Sequence, residues 1–201
     1  MILSNVGIQA ALDAKDLVIT PEPSPRRPTE YQGSCPYDTC SVNLQLGEEI
    51  SIPKPGKPIT LDLRRGGVAK FLPELYERKT IDDEGGYALA PNNFILARTR
   101  ERVSLPIREG RPCYAARIEG RSSFARIGLL VHFTAPTIHA GFEGTITLEM
   151  INLARYPISL FPGMEICQLI IETVEPPPFS NPSEFQFQSS PAGPQERASK
   201  R

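Results

Sequence analysis

The chain of 201 residues carries almost no net charge: 22 lysines and arginines stand against 23 aspartates and glutamates. So weak a field draws a protein neither to nucleic acid nor to an acidic membrane surface. There is no apolar run of about 18 residues, which excludes a transmembrane helix. The opening MILSNVGIQAALDAKDL has no basic stretch leading into a long apolar run. A secretory leader is therefore not expected, and a cytoplasmic location is. Cysteine and histidine are scarce, at four and two. Cys35, Cys40, Cys113 and Cys167 are expected as free thiols. Cys35 and Cys40 stand too far apart for a C-x-x-C pair, and with His132 and His139 as the nitrogen ligands a zinc site has little support. The P-loop, G-x-G-x-x-G and H-E-x-x-H motifs are all absent.

Proline, by contrast, is abundant, at 21 residues, about twice average usage. It clusters at 21–28, 53–58 and 176–194 and breaks helices, so strands and loops should dominate. One helix is expected over 4–17, capped by Ser4, with Ile8, Ala11, Leu12 and Ala14 as its apolar stripe. CSVNLQLGEEISI (40–52) alternates as a half-buried strand that stops at Gly47, and PITLDL reads as another. Residues 64–84 are polar and irregular, with at most a helical turn. YALAPNNFILARTRERVSLP (87–106) predicts strand, turn and strand, YAARIEG a further strand, and 128–175 at least four more. The length fits one domain with a real core, and the pattern is that of an all-β barrel or jelly roll with a short N-terminal helix. That domain is placed at 1–175. Residues 176–201 are expected as a flexible tail, whose Phe179, Phe185 and Phe187 fit either a segment that orders when it covers something or a loose tail with stray aromatics.

Two segments carry candidate chemistry. In GRSSFARIG, Gly120 and Gly128 bracket room for about two helical turns. If helical, Ser122 and Arg126 share a face, and backbone N–H groups, hydroxyls and a guanidinium fork at its start suit phosphate. A capped surface helix with solvated arginines explains the spacing equally well. In GTITLEMIN (144–152), Ile146, Leu148 and Met150 should face one way, and Thr145, Thr147 and Glu149 the other. Glu149 is either a solvated strand carboxylate or a partly buried one. In the second case, with an arginine in reach, it can accept and return protons near neutral pH. His132 and His139 flank FTAPTI and read as polar loop residues rather than metal ligands.

With these residues in view, EGRSSFARIGLLVHFTAPTIHAGFEGTITLEMINLARYPISLFPGMEICQLI resembles the metal-independent dCTP deaminases of the dUTPase-like superfamily. SVNLQLG and YALAPNNFILARTRERVSLP extend the resemblance upstream over most of 1–175. It implies a dUTPase-like β-fold, a homotrimer with active sites between subunits, and hydrolysis of dCTP to dUTP and ammonia that supplies dUMP for thymidylate synthesis. It implies Glu149 as proton shuttle with Ser122 and Arg126 as its catalytic partners. Arg121 and Ser123 would hold phosphate, and the Ala135 carbonyl would fix the attacking water. Main-chain groups of Thr147 and Leu148 would read the pyrimidine edge. Phe124, Ala125, Ile138, His139, Gln168, Phe179 and Gln188 complete the implied substrate-binding set. No cofactor is implied for the chemistry. Magnesium enters only with the triphosphate, and the H-x-E and P-C-x-x-C patterns of zinc deaminases are missing. The implied partners are dCTP, dTTP as a candidate inhibitor, and other copies of the chain.

Four positions depart from the family, one of them Phe179, which stands where Tyr is usual. His139 stands where Asp commonly contacts the deoxyribose, which weighs against a bifunctional deaminase–dUTPase. Asn43 stands where Asp is usual and reads as structural. Glu184 stands where a phosphate-binding Lys is usual, which opens dCMP or dCDP as substrates.

Overall fold

The computed structural model describes residues 1–28, 35–56, 60–62, 64, 69, 71–181 and 185–192. The fold is mainly β, as expected. Helix α1 spans Asn5–Asp13, with the Ser4 hydroxyl accepting from the Gly7 N–H at 3.3 Å. Ile8, Ala11 and Leu12 are buried, but Ala14 is exposed. The helix stops four residues short of the expected end because Lys15 takes a left-handed φ of 58°. The Lys15 and Asp16 N–H groups turn back to the carbonyls of Leu12 and Ala11, a closure that satisfies the last carbonyls of the helix.

Among the described residues, twelve strands follow. They are β1 Val18–Thr20, β2 Tyr37–Asp38, β3 Ser41–Pro53, β4 Tyr76–Thr80, β5 Tyr87–Leu89, β6 Phe94–Ser104, β7 Tyr114–Gly120, β8 Leu129–Leu130, β9 Thr137–Ile138, β10 Glu143–Asn152, β11 Ile158–Leu160 and β12 Glu165–Thr173. Two short helices interrupt them, α2 Leu72–Leu75 and α3 Ser122–Arg126. The pairings among the described residues are antiparallel, and the main path runs β8-β10-β6-β3-β12-β7-β9. β5 and β11 form a separate pair. Leu44, Leu46, Ile50, Ile95, Leu105, Leu148 and Met150 fill the core, each fully buried.

Gly47 does not end its strand. β3 runs through it and changes partners there, pairing with β12 over Val42–Gln45 and with β6 from Leu46. A Cβ at Gly47 would lie 3.1 Å from the Arg98 carbonyl oxygen and 3.3 Å from that of Thr99. The glycine permits a close crossing rather than a turn. Registers on both sides of β6 shift in this region, Leu46↔Thr99 giving way to Ile50↔Ala97 and Thr145↔Arg102 to Thr147↔Arg98. The buried Thr99 hydroxyl satisfies the disturbed backbone: it accepts from the Ile146 N–H at 3.0 Å and donates to the Glu101 carbonyl at 2.7 Å.

Two further expectations change. Residues 60–62 are not a strand; the rest of the PITLDL prediction falls partly on 58, 59 and 63, outside the described residues. In the segment read as irregular, β4 pairs with Glu49–Pro53 of β3. Its exposed Glu77, Arg78 and Lys79 are the charged dress of an edge strand, which hides the alternation that identifies a buried one. The four cysteines are free thiols, Cys113 and Cys167 buried. Among the described residues no helix is long and apolar enough to cross a membrane.

One acid lies inside this frame. Glu101 is 3 % exposed and accepts from the Gln45 N–H at 2.9 Å. Burial pushes its carboxyl above the ordinary carboxylate range, with the Gln45 hydrogen bond opposing. A carboxyl raised in the fold binds more protons there than in the unfolded chain, so stability drops as pH rises from the ordinary range through the raised value. Urea unfolding between about pH 4 and about pH 8 should show wild type losing stability relative to E101Q as pH rises. A pH-independent difference would refute the assignment.

Candidate active site

The path of strands curls until β9, its last member, and β10, its second, wall one cavity of about 600 Å³. β10 is the floor. Its alternation sends Ile146, Leu148 and Met150 into the core, each at most 2 % exposed, and leaves Thr147, Glu149 and Ile151 half-buried on the other face. Thr147 and Glu149 line the cavity, and the register shift beside Thr147 lets Ile146 reach it too. The Glu149 carboxylate accepts from the Phe133 N–H at 3.4 Å. Ala135, Thr137, Ile138 and His139 form the facing wall.

The remaining wall was not legible as such in the sequence. Leu72 of α2 and Tyr76 of β4 line the cavity beside Phe94 and Leu96 of β6. Burial raises the pKa of the Tyr76 phenol, and the charge of Glu149 pushes the same way. A residue in FLPELY thus shares the site with the carboxylate. The available signal was the apolar cluster Phe71, Leu72, Leu75 and Tyr76 inside a polar stretch.

The C-terminal segment roofs the cavity. The Phe187 N–H donates to the Glu143 carbonyl at 2.6 Å, and the Thr145 N–H donates to the Gln188 carbonyl at 3.0 Å. Gln188 Nε2 returns a bond to the Thr145 carbonyl at 2.9 Å, and the side chain is buried. Gln186 Nε2 reaches the Gly141 carbonyl at 2.7 Å, and the Ser190 hydroxyl donates to Glu49 at 2.6 Å. Phe179 stands 88 % exposed and is not part of the lining. Glu184 lies outside the described residues.

The second candidate segment is helical, as GRSSFARIG allowed. α3 is capped by Arg121, and Ser122, Ser123, Ala125 and Arg126 are exposed while Phe124 packs on the core. None of its residues lines the cavity. Arg121 instead pairs with Glu165 on β12. Gln168, also on β12, donates to Asp38 at 2.7 Å, Ser41 at 3.3 Å and Asn43 at 3.4 Å. One chain therefore brings Glu149, Ala135, Ile138, His139, Thr147 and Gln188 together. It holds Ser122, Arg126, Arg121, Ser123, Phe124, Ala125 and Gln168 apart from them. Leu148 points into the core beneath the floor.

The arrangement offers a half-buried carboxylate in a largely apolar cavity with backbone groups beside it, a setting for general acid–base work. Residues 2–174 match the family model described as dCTP deaminase-like. The chain is 36% identical over 190 residues to "dCTP deaminase, dUMP-forming" of Persephonella marina, covering 94% of this chain and 92% of that one. It is 34% identical over 203 residues to a dCTP deaminase of Natronomonas pharaonis, covering 95% and 92%. In structure it resembles the 2'-deoxycytidine 5'-triphosphate deaminase of Agrobacterium tumefaciens with a TM-score of 0.57 at 18% identity. That match covers 85% of this chain and only 46% of the other, and it speaks for the fold alone.

The roof lies beyond the residues matched by the family model and can be tested separately. A Cβ at Gly144 would sit 2.9 Å from the Gln188 carbonyl oxygen and 3.1 Å from its nitrogen. G144A should push the segment off β10, at a cost of about 1–3 kcal/mol if the contact were merely over-packed. Hydrogen exchange at the Phe187 amide should quicken by about tenfold or more while the Leu148 amide stays protected. Unchanged exchange at Phe187 would show that β10 does not hold the segment.

Proposed function

We propose that this chain, which belongs to the dCTP deaminase-like family, is a hydrolase that deaminates dCTP to dUTP and ammonia. The observation that carries the reading is Glu149, half-buried in the cavity beside Ala135 and Thr147. Water adds to C4 of the cytosine, and Glu149 takes its proton and delivers it to the ring nitrogen. The carboxylate then moves the second proton from the new hydroxyl to the amine, which leaves as ammonia. One carboxylate serves each transfer in turn. The Ala135 carbonyl accepts from the attacking water, and main-chain groups of Thr147 and Leu148 meet the pyrimidine edge. Gln188 and His139 close around the sugar and phosphates.

Ser122 and Arg126 complete the set from a neighbouring copy in a homotrimer, with Arg121 and Ser123 on phosphate. This is supported by the absence of every α3 residue from the cavity lining within one chain. Magnesium arrives as part of the triphosphate substrate. dTTP competes for the same cavity. The product supplies dUMP for thymidylate synthesis.

A second reading, deamination coupled to phosphate release, is favoured by relatives whose name is "dCTP deaminase, dUMP-forming" and opposed by His139 at the position of the usual Asp. With dCTP as substrate, ammonia without pyrophosphate supports the first reading and both products support the second. Pyrophosphate from dUTP with no ammonia from dCTP would refute both. Parallel assays with dCMP and dCDP rank the phosphate number.

E149Q should lower kcat by at least about 10³-fold, within the range of a lost acid–base group and its partners, with Kd for dCTP changed little. If sites are shared between copies, E149Q and S122A are each inactive, yet co-refolding them equally should restore about a quarter of wild-type activity. No recovery in a mixed oligomer would place both residues in one chain's site.

A further inference from the structure

Asn43, Glu165 and Arg121 form a polar line outside the cavity, and the reaction as described gives Asn43 and Glu165 no role. α3 has five residues, buries none of them fully, and has no side-chain bond at its N-cap. So short a helix does not hold its own place. Its far end is fixed by the Gly128 carbonyl, which accepts from the Leu153 N–H at 2.8 Å. Its near end is fixed by Arg121, whose Nη1 is paired with the Glu165 carboxylate and lies 3.5 Å from the Glu165 carbonyl oxygen. The two side chains are 28% and 22% exposed.

Glu165 is itself held. Its Oε2 accepts from Asn43 Nδ2 at 3.1 Å, and Asn43 is 3 % exposed. Asn43 Oδ1 accepts in turn from Gln168 Nε2. An ordered line of polar groups thus runs from β3 across β12 to the first residue before α3. A guanidinium presents its donors in a rigid fork. Here Nη1 is engaged, while Nε and Nη2 make no bond among the described residues.

We propose that Glu165 is a positioning residue for nucleotide binding: by clamping Nη1 of Arg121 it presets the remaining edge, Nε and Nη2, for a pair of phosphate oxygens. A carboxylate behind a ligating side chain fixes its orientation in advance, so less freedom is lost when the ligand arrives. The same clamp neutralises the guanidinium, so binding depends on alignment more than on net charge. This rests on the phosphate role proposed above for Arg121, and deepens it.

The test is a cycle of dCTP affinities by calorimetry in the E149Q chain, where turnover does not consume the ligand. E165A and R121A should each weaken binding by about tenfold, and the two together no more than R121A alone. E165Q keeps the size and an acceptor for Asn43 but not the charge, and should weaken binding by a smaller factor. Equal weakening by E165A with and without Arg121 would overturn the proposal, since Glu165 would then not act through the arginine. So would wild-type affinity in E165A, or tighter binding in E165A from an unmasked cation. If E165A does not fold, E165Q replaces it in the same cycle. Ammonia release from dCTP by the wild-type chain reports separately on the deaminase reading; it can succeed while the cycle fails. A chain that neither releases ammonia from dCTP nor binds it loses both.

Discussion

The architecture depends on a close crossing of β3 and β6. At Gly47 the two backbones approach too closely for a side chain, and β3 leaves β12 for β6. Both registers on β6 shift near this point, and the Thr99 hydroxyl takes up the Ile146 N–H there. Without that hydroxyl a buried donor would lack a partner, which costs about 1–3 kcal/mol. The crossing makes one curved path of strands instead of two unrelated layers. The curve in turn brings β9 to β10, and so gives Glu149 a facing wall.

In the proposed reaction, the cavity and α3 divide the chemistry between two places. The cavity supplies a carboxylate, backbone groups and an apolar surround. α3 and Arg121 before it supply guanidinium and hydroxyl groups on the outside of the same chain. A substrate with an uncharged ring and a highly charged tail needs both environments. A triphosphate's several charges, buried without cations in one small apolar volume, would be strongly disfavoured. Separating the two environments, and letting oligomerisation reunite them, resolves that conflict in the proposed assembly.

What the sequence made legible followed the strength of the local signal. Ser4 and the 8, 11, 12 stripe located α1, and the alternation around Glu149 located β10 with its faces from Thr147 on, while the register shift lets Ile146 reach the cavity side. The GRSSFAR segment could be read as helical but not as paired with Glu165, since that contact joins residues 44 positions apart. β4 escaped notice because an exposed edge strand has little apolar alternation. Gly47 misled for a different reason: glycine marks a close approach as readily as a turn, and only the partner strand decides between them. Tyr76 was invisible as a site residue because nothing nearby in sequence points to β10.

The C-terminal segment has a second consequence, for solubility. β8 covers only Ile151 and Asn152 of β10, so the stretch near Glu143 and Thr145 would otherwise present unpaired amides and carbonyls along a sheet margin. Such a margin is a template for another chain's strand. Phe187 and Gln188 occupy those groups with their own backbone and one amide side chain. A chain clipped ahead of this segment would therefore lose more than its roof: it would expose a surface on which copies can stack out of register and aggregate.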